Sequence, residues 1–316
     1  MNEMEHADKI KSTFFSRLMV YLWETYPPPA ALVLANLQFF CLYTLFFWIN
    51  DAEKILVNGN ALIGVLTCFL FMLFLRVADE LKDREVDVTF FPERPLPSGR
   101  VLETDLWIVM VVIYELMFLL NTIFPAGILT FLALGLFAFF TFKYFFYPEY
   151  IAGSLLYSFL THNPLTLMTA IYIISIPGNS FKLPIWRFEP LLLATWFWFF
   201  GIIWEFTRKI KAPEKETEYV TYSMLFGLKN SVFITLGLMY SQFLIIFYLS
   251  RQHPISDTAL GLLAMVLLLC TIYFLLFVFR ENRSNFKIMA AGAVYLFLNL
   301  VILLGEMLLS RILVWQ

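Results

Sequence analysis

The chain has 316 residues, of which 60% are hydrophobic and 15% are charged, and its mean hydropathy is +0.76. This composition excludes an ordinary soluble domain and is typical of an integral membrane protein. The formal net charge of −2 says little about partners, and no nucleic-acid-binding module is visible, so we expect no nucleic-acid partner.

Long apolar runs follow one another along the whole chain. Crossing the hydrocarbon core of a membrane takes about 20 apolar residues, and runs of this length are too long for barrel strands. We therefore predict an all-α, polytopic membrane protein with about nine transmembrane helices, in one domain over residues 1–316. The predicted spans are 28–49, 60–79, 105–123, 126–146, 150–176, 189–207, 230–250, 257–279 and 286–312.

The distribution of lysine and arginine predicts the orientation. With a cytoplasmic N-terminus and nine spans, most of the 22 basic residues, Lys9 and Lys11 among them, fall on the inner side. The two longest charged connections, 80–104 and 208–229, then also lie in the cytoplasm. Residues 1–17 do not resemble a cleaved signal peptide. The bacterial inner membrane is the membrane we expect.

A cluster of acidic residues begins where the second predicted span ends. Glu80, Asp83 and Asp87 have the spacing that places side chains on one face of a helix, and Asp79 adjoins them. Acids beside lipid are costly, so they indicate a functional site. Clustered carboxylates suit Mg²⁺ that is itself holding phosphate oxygens. The alternative is a solvated helix end with salt bridges, in which Arg76 pairs with the acids.

The residues after this cluster form a turn motif. Residues 90–99 contain three prolines and a glycine, which predict a rigid, non-helical turn at the membrane surface. Arg94 and Arg100 in or beside this turn have the side chain that matches a phosphate group with two parallel hydrogen bonds.

The acids and the turn together resemble the UbiA superfamily of intramembrane prenyltransferases. The first signature of that family is Asn-Asp-x-x-Asp-x-x-x-Asp followed by Arg-Pro-Leu-x-x-Gly. Asp79 occupies the Asn position, and Glu80, Asp83 and Asp87 occupy the three Asp positions. Residues 94–99 match the second part. The nine-helix layout is also that of the family, and the resemblance implies a bundle around a central cavity that opens at the cytoplasmic side.

The second half of the chain fits the family less closely. A second Asp-rich signature belongs after span six, but residues 204–218 contain no aspartate. Glu205 is the candidate for the leading acid and Glu214 or Glu218 for a later one, with a charged surface loop as the alternative. Arg208 and Lys209 would lie near the phosphates and replace part of a metal's charge.

Two further positions concern spans four and five. The family's Tyr-x-x-x-Lys motif after span four reads Phe139-Phe140-Thr141-Phe142-Lys143 here, so the lysine is retained and the tyrosine is lost. His162-Asn163-Pro164 interrupts span five, because proline removes a helix hydrogen bond. These residues either line a cavity or form a tolerated kink.

The resemblance implies transfer of a prenyl group from an allylic (poly)prenyl diphosphate to an apolar or aromatic acceptor, through an allylic cation, with Mg²⁺ as the cofactor. The expected partners are that donor, that acceptor and membrane lipid. The assigned roles are metal binding for Asp79, Glu80, Asp83, Asp87, Glu205 and Glu214, diphosphate binding for Arg94, Arg208 and Lys209, and catalysis for Asp83, Asp87 and Lys143.

Three other functions are compatible with these residues. A terpene cyclase would ionise the same donor without an acceptor, and a transferase of the phosphoribose type would use a different donor. A cation transporter would place its acids near the middle of the spans, whereas these acids lie at cytoplasmic ends beside cations. Aromatic residues make up 19% of the chain and either pack helices together or line a tunnel for an isoprenoid.

Overall fold

The structure is a computed structural model that describes residues 13–280, 283 and 285–316, so Lys9 and Lys11 lie outside the described residues. In this part of the chain, nine helical segments are long and apolar enough to cross a membrane. The helices are α1 (Phe14–Thr25), α2 (Pro28–Trp48), α3 (Gly59–Lys82), α4 (Arg84–Phe90), α5 (Glu103–Ile123), α6 (Ile128–Phe142), α7 (Pro148–Ile151), α8 (Leu155–His162), α9 (Pro164–Phe181), α10 (Phe188–Arg208), α11 (Tyr222–Phe226), α12 (Leu228–Ser250), α13 (Asp257–Phe279) and α14 (Ile288–Ser310), and the strands are β1 (Lys54–Val57) and β2 (Ile312–Trp315).

The all-α, nine-span prediction is confirmed, and α2 lies at the centre of the bundle. It packs against α3, α9, α10 and α14. All side chains from Cys41 to Ile49 are buried. The second half of α2 has no polar face, and a helix that is apolar on every side can be buried by its neighbours on every side.

The predicted fifth span is divided between α8 and α9 at Asn163. Pro164 has no backbone N–H and begins α9. The indole Nε1 of Trp198 in α10 donates to the Asn163 backbone carbonyl (3.1 Å) and to its Oδ1 (2.9 Å). The side chain of Trp198 therefore joins α10 to the break at Asn163, whose carbonyl also accepts from the Thr166 N–H (3.2 Å).

The C-terminal segment differs from the prediction, which extended the last span to residue 312. The helix α14 ends at Ser310, and β2 pairs in parallel with β1. The Gln316 N–H donates to the Val57 carbonyl (2.8 Å), and Arg311 Nε donates to the Ala52 carbonyl (3.1 Å). This pairing joins the chain's end to the loop before α3. Because α3 starts beside β1, its acidic end lies at the opposite end of the bundle.

We expect Gly292→Ala to destabilise the bundle, because α14 approaches α10 closely at this glycine. A Cβ at Gly292 would lie 2.6 Å from Cγ2 and Oγ1 of the buried Thr207. Overpacking of this kind costs roughly 1–3 kcal/mol, which thermal unfolding of the purified protein in detergent measures. Gly237→Ala is the matched control, since nothing lies within 4 Å of its added Cβ. Equal melting temperatures for the two variants would contradict the close packing of α14 on α10.

Candidate active site

The acidic cluster lies at the end of α3, which runs to Lys82 and so is longer than predicted. Asp83 interrupts the helix with φ −96° and ψ 15°, and α4 begins at the next residue. The Asp87 N–H still donates to the Asp83 carbonyl (2.9 Å), so the helical path nearly continues. The acids before and after the interruption can therefore still lie on one face of the helical path. Glu80 and Asp87 are buried with 1% and 4% exposure.

Arginine side chains neutralise two of these acids. Arg76 pairs with Oε1 of Glu80, while Oε2 of Glu80 is buried and has no hydrogen-bond partner among the described residues. Arg94 Nη1 contacts both carboxylate oxygens of Asp87, at 2.7 and 2.8 Å. Its guanidinium carbon also lies 4.0 Å from the centre of the Phe91 ring. Arg94 thus attaches the turn to the end of the acidic segment.

The predicted non-helical turn is present between α4 and α5. The Ser98 N–H donates to the Arg94 carbonyl (3.0 Å), and the Val101 N–H donates to the Pro95 carbonyl (3.1 Å). Gly99 has a φ of +73°, a left-handed conformation that favours glycine. Arg100 donates to the Glu93 carbonyl (2.7 Å). The arginines of this turn therefore have defined positions.

Asp83 has a partner that the sequence did not indicate. The hydroxyl of Tyr144 donates to Oδ1 of Asp83 (3.0 Å). Burial raises the pKa of Asp83, and the positive charge of Lys82 acts in the opposite direction. Burial and the nearby Asp83 likewise raise the pKa of Tyr144, so this phenol stays protonated and donates.

A strained turn brings Tyr144 to the acidic cluster. Tyr144, Phe145 and Phe146 have φ values of 47°, 51° and 64°, in the left-handed region. Each such residue costs roughly 1–2 kcal/mol unless it is glycine. The Phe145 ring packs on those of Phe140 and Phe137, with centroids 5.9 and 5.7 Å apart. Strain of this kind persists where packing determines the conformation and is common at functional sites.

His162 lies beside this turn at the C-terminal end of α8. Its ring centroid is 5.8 Å from that of Tyr144, and Lys82 and Asp79 are near enough to act on it electrostatically. Nδ1 lies 2.9 Å from both the Ser158 carbonyl and the Thr161 hydroxyl, so contacts within α8 orient the ring.

The second charged segment is at the end of α10. Glu205 contacts Arg208 Nη2 through Oε2 (2.6 Å) and Lys209 Nζ through Oε1 (2.9 Å). Asp79 is close enough to Arg208 to act on it electrostatically. The acidic end of α3 and the basic end of α10 therefore lie within electrostatic range of each other, although their sequence positions are far apart.

The loop after α10 contacts the first segment through residues that the sequence analysis missed. The ring of Tyr219 lies 5.9 Å from each of the rings of Phe90 and Phe91, measured between centroids. Glu216 accepts hydrogen bonds from the hydroxyls of Thr221 (2.8 and 2.9 Å) and Ser223. The hydroxyl-rich run at 221–223 after an acidic stretch was the available signal for this internal hydrogen bonding.

Three predicted residues lie apart from these contacts. Glu214 and Glu218 are exposed in the loop after α10. Lys143 is also exposed, its Nζ lies 5.3 Å from the Phe142 ring, and no hydrogen bond or ion pair joins its side chain to another described residue. The neighbouring Tyr144, and not Lys143, contacts the acidic cluster. The catalytic role of Lys143 and the metal roles of the acids stay predictions.

The donor chemistry of the cluster fits Mg²⁺, a hard cation that takes oxygen ligands. The unpartnered Oε2 of Glu80 and the partly buried carboxylate of Asp83 are such donors. Within the described ranges, no three His, Cys, Asp or Glu side chains are already arranged around one point. Asp79 pairs with Lys82 (3.2 Å) and Asp87 with Arg94, so a bound ion has to share or displace these cations.

Comparison with known proteins relates most of the chain to one family. The model of the UbiA prenyltransferase family matches residues 47–301, which include both charged segments. No curated protein matches the sequence closely enough to count as a relative.

Solved structures of low sequence identity have a similar fold. A UbiA homolog from Aeropyrum pernix K1 in its apo form is 12% identical with a TM-score of 0.60, covering 86% of this chain and 96% of its own. A structure of digeranylgeranylglyceryl phosphate synthase is 15% identical with a TM-score of 0.58, covering 92% and 98%. A UbiA homolog from Archaeoglobus fulgidus bound to GPP and Mg²⁺ is 13% identical with a TM-score of 0.56, covering 92% and 99%.

Proposed function

The chain belongs to the UbiA prenyltransferase family and is an integral, multi-pass membrane protein. We therefore propose that it transfers a prenyl group from an allylic diphosphate to an apolar or aromatic acceptor. The observation that carries this proposal is the contact between the two charged segments, in which the ring of Tyr219 in the loop after α10 lies 5.9 Å from the rings of Phe90 and Phe91 at the end of the acidic segment. A diphosphate held through metal ions needs carboxylates on one side and gains from cations on the other.

The acids of the first segment are the proposed metal ligands. Asp79, Glu80 and Asp83 would hold Mg²⁺, as the Archaeoglobus fulgidus homolog binds Mg²⁺ together with GPP. An ion held there would neutralise charge on the leaving diphosphate. Asp87, Glu205 and Glu214 remain proposed as further ligands. The hydrogen bond from Tyr144 orients Asp83, since it occupies Oδ1 and leaves Oδ2 available.

The cations hold the diphosphate oxygens. Arg208 and Lys209 share Glu205, but each has hydrogen-bond donors left over, and Arg94 likewise uses one of its terminal nitrogens for Asp87. Their fixed positive charges stabilise the negative charge that develops as the C–O bond breaks. We retain Lys143 as a proposed catalytic residue, which requires it to reach the diphosphate from its exposed position.

Aromatic packing beside the basic end of α10 would protect the allylic cation. The rings of Phe206 and Tyr222 stack with centroids 4.3 Å apart, and that of Phe159 lies 5.7 Å from Phe206. Such surfaces exclude water, which would otherwise capture the cation, and their π-faces attract positive charge. The electron pair of the broken C–O bond leaves with the diphosphate, a nucleophilic carbon or oxygen of the acceptor attacks the cation, and a proton is lost.

Incubation of the purified protein with labelled geranyl, farnesyl and geranylgeranyl diphosphates and Mg²⁺, with and without a lipid extract, tests the proposal. We expect a labelled product that requires the extract and whose mass exceeds that of the acceptor by one prenyl group. A hydrocarbon or terpene alcohol formed without the extract would instead identify a cyclase. Absence of diphosphate release from all three donors would contradict the prenyl-donor proposal.

The position in the membrane is also part of the proposal. We propose that residues 1–316 form one domain whose N-terminus and charged loops lie in the cytoplasm, in a bacterial inner membrane. The concentration of Lys and Arg at the end of the bundle that carries both charged segments supports this orientation.

A further inference from the structure

A cavity with two basic side chains in its lining lies at the start of α12. Its volume is about 380 Å³. The residues that line it come from three places in the chain: the loop after α10, the first turn of α12 and the connection between α13 and α14. They are Pro213, Gly227, Leu228, Lys229, Asn230 and Arg283. None of them belongs to the residues that we assign to the prenyl donor or its metal.

Two cations line the cavity, and no described residue gives either of them an acidic partner. Lys229 is exposed, and its Nζ lies 6.0 Å from the centre of the Phe279 ring. Arg283 donates from Nη2 to the Val278 carbonyl (3.0 Å), while its Nε is buried and has no hydrogen-bond partner among residues 13–280, 283 and 285–316. In the described ranges neither side chain forms an ion pair with a carboxylate. A buried N–H donor of a charged group without an acceptor is costly, which indicates that an acceptor completes the site.

The backbone at the cavity adds to its positive potential. The 23-residue helix α12 begins at Leu228 after Gly227, and no side chain caps it. The first N–H groups of a helix have no partner within the helix, and the helix dipole makes this end positive. These N–H groups and the two cations therefore present donors to one anion.

An apolar groove adjoins the cavity and shares Asn230 with it. It has a volume of about 490 Å³ and is lined by Phe226, Asn230, Phe233 and Ile234. Phe233 and Ile234 are 49% and 39% exposed on a helix that crosses the membrane, so they face lipid. The groove therefore continues from the charged cavity along α12 into the hydrocarbon region.

We propose that the cavity binds the phosphate headgroup of an anionic phospholipid of the surrounding bilayer and that the groove holds one of its acyl chains. The two cations and the helix end match the charge of a phosphate, and cationic pockets between transmembrane helices recognise such headgroups. The adjoining lipid-facing groove favours a phospholipid over a soluble phosphate. This site is additional to the proposed transferase activity and does not depend on it.

Native mass spectrometry of the purified full chain in neutral detergent tests the proposal. We titrate with phosphatidylglycerol, with phosphatidylcholine, and with phosphatidylglycerol in the presence of inorganic phosphate. We expect saturable binding of one phosphatidylglycerol, little binding of phosphatidylcholine, and weak competition by inorganic phosphate. The Lys229→Gln/Arg283→Gln variant should bind phosphatidylglycerol about 10-fold or more weakly, because two phosphate contacts are lost.

Arg280→Gln/Lys287→Gln is the matched control, because it removes the same charge from exposed positions at the same end of the bundle. It should bind phosphatidylglycerol like the unchanged protein. An equal loss in both double variants would show a general charge effect and overturn the site. Complete competition by millimolar inorganic phosphate would identify a soluble-anion site and overturn the lipid. An unchanged melting temperature of the Lys229→Gln/Arg283→Gln variant verifies that it is folded.

Discussion

Asp83→Asn should reduce diphosphate release from the allylic donor by roughly 10²- to 10³-fold while the protein stays folded. Asparagine has nearly the same volume as aspartate and retains an Oδ1 that accepts the hydrogen bond from Tyr144. The substitution therefore removes the negative charge proposed to hold Mg²⁺ and little else. The measurements are diphosphate release at saturating donor and the Mg²⁺ concentration that gives half of the maximal rate.

Two further variants test whether the loss of activity comes from the charge of Asp83 or from changes in its surroundings. Glu85→Gln removes an equal charge from an exposed neighbouring position and should leave diphosphate release unchanged. Tyr144→Phe removes the hydrogen bond but keeps the carboxylate, so its loss of activity should be smaller than that of Asp83→Asn. Full activity of folded Asp83→Asn would refute the assignment of this residue as a metal ligand.

The second large effect is expected on stability, at the pair of Asp87 and Arg94. Asp87 is 4% exposed, and both of its oxygens contact Nη1 of Arg94. Arg94→Gln leaves a buried carboxylate without its cation. Breaking a fully buried ion pair in this way costs about 3–5 kcal/mol, and we expect the lower end of that range because the Arg94 side chain is 31% exposed. Equilibrium unfolding in mixed detergent micelles gives the free energy of unfolding of each variant.

A double variant identifies the cause of this loss. Asp87→Asn combined with Arg94→Gln removes both charges, so its cost should be clearly less than the sum of the two single costs. Arg100→Gln is the control within the same turn. Its pair with Glu24 is exposed on both sides and should contribute about 0–1 kcal/mol. A cost for Arg94→Gln no larger than that for Arg100→Gln would mean that the Asp87 pair does not hold the turn in place.

The spacing of acids at 79–87 was enough to predict the first charged segment. Helical periodicity is local, so Glu80 and Asp87 share a face even though Asp83 interrupts the helix. The Arg94 turn could be predicted for the same reason, because prolines and a glycine restrict the backbone where they occur. The spacing did not show which of the acids pair with an arginine. Arg76 and Arg94 pair with Glu80 and Asp87 but not with Asp83.

The role of Tyr144 could not be predicted from the sequence. Apolar periodicity continued span four to residue 146 and thus placed this tyrosine inside a helix, whereas the helix ends at Phe142. Three consecutive left-handed residues without glycine are intrinsically unfavourable, and no local pattern predicts them. They are stabilised by ring packing with Phe137 and Phe140 and by the hydrogen bond to Asp83, which exist only in the folded bundle.

Hydrophobicity and short-range spacing, which are properties of the chain, were enough to predict the nine spans of the described residues, the places of the two charged segments and the family. Only the folded structure shows that Tyr219 packs on Phe90, that Arg311 donates to the Ala52 carbonyl, and that β2 pairs with β1. These contacts join residues that are more than 100 positions apart along the chain. These contacts form only when whole helices pack, because the intervening chain has to be ordered, at a cost in entropy, before a long-range contact can stabilise the fold.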